Sequence, residues 1–426
     1  MRTKIIGTLV SKLSVALINL MLVIVSAKFL GAEIRGNMSL ILLGITLISL
    51  INDIVGGPVL VYLVPRVSLS KILISSYLWA ILVVSSGSFL FAYFKIIPPQ
   101  FGVELFFVSL LQCLNTIHLD VLLGKEKIRN YNFIFFVQTT ILFISFCVLL
   151  FLWNKREIII YIYSLYISYF IALCISSYFV FRVSRTINNK ENVSVVKIFF
   201  RDGMLNQLAN IARILSTRIS YYFIELFVGT VAVGIYSTGV SITEGLLLLS
   251  SSVSLVIYSK ISNTDDKEYS QRLTIKLSKF CLIISVTTMI ILTLLPAQFY
   301  AFIFGAEFLD VKKVIISLGA GILALSFSMV YSHYFSGIGK YYINTISSSI
   351  ALIVSVSLGI IVIPHYHLVG AGLVTSFAYL MSATFLFYKF IKETKLSYKE
   401  LLPSFRDVFV IKNEIKKLKS QISNKS

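Results

Sequence analysis

Hydrophobic positions run along this chain in blocks of about 20 residues or more, separated by short polar stretches. In hydrocarbon every backbone N–H and C=O must be paired internally, so such blocks form helices or a closed barrel. A barrel would show alternating segments of about ten residues, and these blocks are too long and too uniformly apolar for that. The pattern predicts twelve helices, at roughly 7–30, 37–62, 70–94, 101–123, 131–153, 158–181, 203–228, 231–258, 279–303, 313–336, 341–363 and 369–390. The first block follows Met1-Arg2-Thr3-Lys4 and ends in Lys28-Phe29-Leu30-Gly31 rather than at a small-residue cleavage site. It reads as a retained helix, not a signal peptide.

The blocks repeat. Phe29-Leu30-Gly31-x4-Gly36-x2-Ser39 joins the first and second, and Phe227-Val228-Gly229-x4-Gly234-x2-Ser237 joins the seventh and eighth, at an offset of 198 residues. Gly124-x-x-Lys127 after the fourth is echoed by Gly337-x-x-Lys340 after the tenth. The expected fold is an all-α polytopic membrane protein of about 12 transmembrane helices in two pseudo-symmetric six-helix halves. The expected boundaries are 1–181 for the first half, 182–202 for a cytoplasmic linker, 203–390 for the second half and 391–426 for a basic cytoplasmic tail. Transporters built from parallel repeats place the substrate at the interface of the halves.

One block is out of character. NQLANIARILSTRISYYF, residues 206–223, carries two arginines, two asparagines and a glutamine within an otherwise apolar span. At 100° per residue Asn206, Asn210, Arg213, Thr217 and Ser220 share an arc of about 80°. Gln207, Arg218, Tyr221 and Glu225 form the neighbouring stripe. A central arginine costs about 2.5–3.5 kcal/mol on insertion scales, so this face must meet protein or water. Lys12 lies in the first block, and the repeat maps it onto position 210. Arg213, Arg218, Lys12, Asn206 and Asn210 are therefore the candidate substrate-binding residues, lining a cationic cavity suited to phosphate or carboxylate. The alternatives are structural: Arg218 pairing with Glu225, and Lys12 snorkelling to the cytoplasmic face. Among the sparse acids, Glu244 and Asp53 lie deepest and are the candidate ion-coupling residues. Asp53 could instead serve packing, with Asn52 and Gly56-Gly57-Pro58 marking a kink. Asp120, near a helix end beside basic residues, reads as a structural pair, and His118 as a packed side chain.

Composition agrees with the pattern. Of 426 residues, 57% are hydrophobic and 13% charged, against about 25% charged in soluble domains. The net charge of +19 would suit nucleic acid, but its distribution does not. The termini and even-to-odd connections hold 28 of the 38 Lys and Arg. Seven fall in the other connections (Lys28, Arg35, Lys95, Lys155, Arg156, Lys312 and Lys313) and three within helices. This bias puts both termini in the cytoplasm and makes the charge a topology signal. The tail is expected to lie on anionic head groups. Four cysteines stand singly in four helices without metal or disulfide spacing. Nucleotide-binding, HExxH and GxSxG motifs are absent, so no enzyme activity, metal or cofactor is expected.

Several stretches resemble one family. KFLGAEIRGNMSLIL (28–42), GGPVLVYLVPR (56–66), TRISYYFIELFVGTVAVGIYSTGVSITEGLL (217–247), FIFGAEF (302–308) and PHYHLVGAGLVTS (364–376) are similar to polysaccharide-exporting flippases of the Wzx type. These belong to the superfamily that includes the MATE exporters. The resemblance covers about residues 28–390 and rests on motif order rather than on one specific motif. It implies a flippase moving an undecaprenyl-diphosphate-linked oligosaccharide, such as an O-antigen repeat unit of lipopolysaccharide, across a bacterial inner membrane by alternating access. An ion gradient of protons or sodium would drive it, and the implied partners are membrane lipids, a polysaccharide polymerase and a chain-length regulator. Two positions depart from the family. Ser220 stands where an acid is common, and His367 where glycine is common. The rival readings are a multidrug antiporter of the same superfamily, which would favour an acidic cavity, and a membrane polysaccharide polymerase, which would need a large periplasmic loop.

Overall fold

The computed structural model describes residues 2–94, 99–153, 156–184, 204–261 and 266–396. All regular structure among them is helical. In chain order the helices are α1 (2–30), α2 (32–52), α3 (Gly57–Leu63), α4 (Leu69–Tyr93), α5 (Gly102–Gly124), α6 (Ile128–Trp153), α7 (Ile159–Ser184), α8 (Met204–Phe227), α9 (Thr230–Ile261), α10 (Lys267–Leu294), α11 (Ala297–Phe304), α12 (Val311–Gly337), α13 (341–366) and α14 (368–394). Nine runs among the described residues are long and apolar enough to cross a membrane. Two of them, Leu13–Asn52 and Tyr341–Thr394, each hold two segments around a break. The polar α8 is not among the nine and supplies the remaining segment, so the twelve expected helices are all present.

The breaks differ in chemistry. Between α1 and α2 the chain bends at Gly31, with φ of 83° and ψ of 176°, a conformation glycine adopts without a Cβ penalty. Between α13 and α14 it bends at His367, with φ of 49° and ψ of −127°. A side chain there is strained, and this is the position where the resembling family commonly has glycine.

Four boundaries move from expectation. The second helix begins at 32, not 37, because the connection before it shrinks to one glycine. It ends at Asn52, and Gly56-Gly57-Pro58 starts the separate turn α3, with Gly57 at φ of 58°. The expected kink is thus a full interruption. The ninth helix begins near 267 rather than 279, since Asp266 caps it by accepting from the Tyr269 N–H at 2.9 Å. It stops before Pro296, with Leu295 extended, and residues 297–304 form a helix of their own. The proposed linker lies almost wholly outside the described residues, as do tail residues 397–426.

The described residues pack as two compact units, those within 1–241 together with 297–311 and those within 242–296 together with 312–426. The core of the first is built from α2, α4, α5, α6 and α7, with Met38, Ile41, Ile48, Val84, Leu105, Ile134 and Phe146 buried. In the second, Tyr331, Tyr334 and Phe390 stack edge to face. There α10 presents a buried small-residue stripe, Ser270, Thr274, Ser278, Cys281 and Ser285. The Ser326 hydroxyl lies 2.6 Å from both Ser250 and Ser285, and the Gly321 N–H donates to Ser376 at 2.7 Å. Small and hydroxylated residues permit this close helix approach where lipid removes the hydrophobic drive between helices.

Candidate functional site

Within the first unit the two repeated motifs meet each other. A Cβ added at Gly36 would lie 2.0 Å from the Thr230 carbonyl oxygen, and one at Gly234 would lie 1.9 Å from that of Ala32. Both pairs are related by the 198-residue offset: 32 maps to 230, and 36 to 234. The Ser39 hydroxyl donates to that of Ser237 at 2.8 Å, again across 198 residues. This is self-complementary packing of α2 against α9, with glycine where one backbone crosses the other. One other quoted stretch joins it. Glu307 of FIFGAEF accepts from the Ala32 N–H at 2.7 Å, placing a carboxylate at the N-terminus of α2.

Next to this packing stands α8. Gln207, 3% exposed, donates to the Leu50 carbonyl at 3.0 Å and ties α8 to the end of α2. Tyr221 is buried edge-on against Tyr236, with ring centroids 5.7 Å apart. Arg218 donates to the Tyr221 hydroxyl at 3.1 Å. Glu225 accepts from the Thr230 hydroxyl at 2.9 Å through Oε1, and its Oε2 is buried without a hydrogen-bond partner. Arg213 is exposed, and its Nη2 donates to Asn210 Oδ1 at 2.7 Å. The neighbouring stripe, with Gln207 and Tyr221, is packed on the unit, whereas Arg213 is exposed. Structure brings together Arg213 with Asn210, and Arg218 with Tyr221. The side chains of Lys12 and Asn206 lie outside the described residues.

Asp53 sits in the interruption between α2 and α3. Its Oδ1 is buried without a hydrogen-bond partner. Asp120 is buried on α5 and accepts from the Gly57 N–H at 2.7 Å, capping α3. Its role is structural, but by capping rather than by the expected pairing with basic residues. Gly56 separates the two acids: a Cβ there would be 3.4 Å from Asp53 Oδ1 and 3.5 Å from Asp120 Oδ2. Asn52, 1% exposed, leaves both side-chain polar atoms unpartnered. Glu244 is half-buried on α9, in the second unit. His118 is held by the Tyr77 hydroxyl and by Ser176 at 3.0 Å, as a packed side chain. No group of three or more His, Cys, Asp or Glu could hold a metal among the described residues.

Sequence reasoning missed one residue. Arg35 was counted with the loop charges, yet it sits in the first turn of α2, 5% exposed, with its Nε unpartnered. The signal was present, since Gly31 and Gly36 bracket it within the repeated motif.

The chain matches no protein-family model and no curated protein. Solved structures do share its architecture. Over 93% of this chain and 89% of the other, it superposes on "Lipid II flippase MurJ, inward closed conformation" with a TM-score of 0.76 at 17% identity. The fold is that of the MOP-superfamily transporters. An inward-facing multidrug resistance MATE family transporter of that superfamily gives a TM-score of 0.68 at 13% identity, over 91% and 94% of the two chains. A MOP-superfamily transporter from Pyrococcus furiosus, described as having a binding pocket of reversed polarity, gives 0.59 at 14% identity over 91% and 94%. Nine described helical runs long and apolar enough to cross a membrane agree with a multi-pass membrane protein of this fold, and the solved structures that share it are titled as a flippase and transporters.

Proposed function

We propose that this protein is a flippase that carries an undecaprenyl-diphosphate-linked oligosaccharide, an O-antigen or related repeat unit, from the cytoplasmic to the periplasmic leaflet. The observation that carries the reading is the cationic, hydrogen-bonding surface of α8, with Arg213 presented by Asn210 and Arg218 seated on Tyr221, in a MOP-type fold. A guanidinium fork recognises phosphoryl oxygens by paired, charge-assisted hydrogen bonds. Arg213, Arg218 and Lys12 hold the anionic head group in this reading, and Asn206 and Asn210 contact sugar or phosphate. The lipid tail stays in the bilayer while the head crosses.

The two halves, 1–181 and 203–390, joined by 182–202, alternate access about the glycine packing of α2 and α9. Asp53 and Glu244 couple the movement to protons or sodium, Asp53 being favoured by its unpartnered oxygen beside Asp120. Both termini are cytoplasmic, in a bacterial inner membrane, and the basic tail 391–426 rests on anionic lipid. A polymerase and a chain-length regulator would take over the product. A multidrug exporter shares the fold, but a basic binding surface disfavours cationic drugs.

The test is a strain deleted for the gene. Completed repeat units should accumulate on the cytoplasmic leaflet and be released by the wild-type protein. Repeat units that cross normally but stay unpolymerised would instead identify a polymerase or assembly factor.

A further inference from the structure

Three side-chain amides lie midway along two membrane-length helices with too few partners. Gln112 and Asn115 stand near the middle of the 23-residue α5, and Gln138 near the middle of the 26-residue α6. Asn115 Nδ2 donates to Gln138 Oε1 at 2.8 Å, and Gln138 Nε2 donates to Gln112 Oε1 at 3.5 Å. Each amide has two N–H donors and one oxygen. The two bonds leave every amide with an unused N–H among the described residues, Gln112 with both, and Asn115 Oδ1 is buried without a partner. Amides that only glue helices together need no surplus donors and no stranded acceptor. Asn115 is fully buried, whereas Gln112 and Gln138 are half-buried and reach the surface of the unit. Hydrocarbon cannot satisfy an amide there, so that surface meets water or a ligand.

The strip is uncharged along both helices. The acids of α5, Glu104 and Asp120, stand eight residues to either side of Gln112, about 12 Å along the axis. On α6, Tyr131 and Phe135 precede Gln138 by seven and three residues, so all three share one face. The two rings are nearly parallel, 3° apart with centroids at 6.5 Å, and Phe135 is exposed. A neutral row of donors and acceptors beside flat apolar rings matches one ligand chemistry. A sugar ring carries vicinal hydroxyls, each donor and acceptor, along its edge and C–H groups on its faces. Amides suit the edge and aromatic rings the faces. An apolar molecule would leave the amides unpaired, and an ion would find no charge in the strip.

We propose that Gln112, Asn115 and Gln138, with the Tyr131 and Phe135 rings on the same strip, form a saccharide subsite that reads the neutral sugars of the lipid-linked cargo. This rests on the flippase reading for the attachment of the sugar to lipid, while the subsite itself rests on the surplus amide groups. The 3.5 Å bond between Gln138 and Gln112 is at the limit of hydrogen-bond length. A sugar hydroxyl inserted there accepts from Gln138 Nε2 and donates to Gln112 Oε1, so that two good bonds replace a poor one. A neighbouring hydroxyl donates to Asn115 Oδ1. Such a subsite selects among repeat units, because a sugar lacking the matching hydroxyl leaves the amides unpaired.

The test uses the purified full chain in phosphatidylcholine nanodiscs free of sugar-based detergent, with maltotriose and triacetylchitotriose as probes read by saturation-transfer NMR. Wild type should bind at least one of them saturably at millimolar concentration. Gln112→Met and Gln138→Met, which keep the length of the side chain but not the amide, should each bind about tenfold more weakly. Phe135→Leu should lose several-fold, and Lys340→Gln, at an exposed ion pair, should bind as wild type. Gln112→Asn, with a shorter amide, should keep part of the affinity that Gln112→Met loses. Gln112→Met should melt as wild type, since it gives up only the 3.5 Å bond. A marked fall in its melting temperature would make the row helix glue and overturn the subsite. So would wild-type affinity in either Met variant, or no binding of either probe by wild type. If binding depends on the amides while deletion traps no repeat units, the subsite stands and the flippase reading falls. If proteoliposomes move the sugar-bearing lipid equally fast with Gln112→Met and wild type, the flippase stands and the subsite falls.

Discussion

Ser39 and Ser237 occupy equivalent places in two copies of one motif, and their hydroxyls are hydrogen-bonded to each other at 2.8 Å. The flanking glycines make the pairing possible, because any Cβ at Gly36 or Gly234 would enter the facing backbone. A double variant Ser39→Cys/Ser237→Cys, with the four native cysteines replaced, should cross-link with a short thiol reagent. Reduction should restore transport lost on cross-linking. Absence of any cross-link would remove this packing from the account.

Gly36→Ala and Gly234→Ala should act alike, as equivalents in the repeat. Each forces α2 and α9 apart, an overpacking cost of about 1–3 kcal/mol. Thermal unfolding in detergent would show two similar losses of stability. A large loss at one position and none at the other would contradict the pseudo-symmetric arrangement.

Glu307→Gln should weaken the closure around Ala32. The neutral amide can still accept the N–H but loses the charge at the α2 N-terminus, worth about 0.3–1 kcal/mol or more when partly buried. Glu307→Ala loses the hydrogen bond too and should cost more. Reversal of that order in melting temperature would show that the carboxylate charge is not what matters.

The twelve helices were legible because helical periodicity and apolar length are local properties. The glycine motif was legible as a repeat, but not as a contact, since sequence does not tell which copies touch. Arg35 escaped because the connection before α2 contracts to Gly31, which moves a presumed loop charge into a buried turn. Asp120 was misassigned for a related reason. Its partner, the Gly57 N–H, is 63 residues away and is exposed as an orphan only when α3 begins as a separate helix. Sequence neighbours pointed to basic residues instead.

His367→Gly should stabilise the protein. The present backbone, φ of 49° and ψ of −127°, is costly for a side chain by about 1–3 kcal/mol and free of that cost for glycine. Part of the gain is returned through the looser unfolded chain. A melting temperature unchanged or lowered would mean that the His367 side chain contributes contacts that outweigh the strain.

The central claim is that this protein moves a polyprenyl-diphosphate-linked saccharide between leaflets through the arginines of α8. The most direct measurement reconstitutes the purified chain into proteoliposomes holding a fluorescent undecaprenyl-diphosphate-linked oligosaccharide in the inner leaflet. Its arrival outside is followed with a membrane-impermeant lectin or quencher, for wild type and for Arg213→Ala. Wild type should move the lipid well above protein-free vesicles under a proton or sodium gradient. Arg213→Ala, at the same incorporation and melting temperature, should be slower by about tenfold or more, the loss of a charge-assisted contact. Wild-type vesicles that move the lipid no faster than empty ones, under either gradient, would contradict the account.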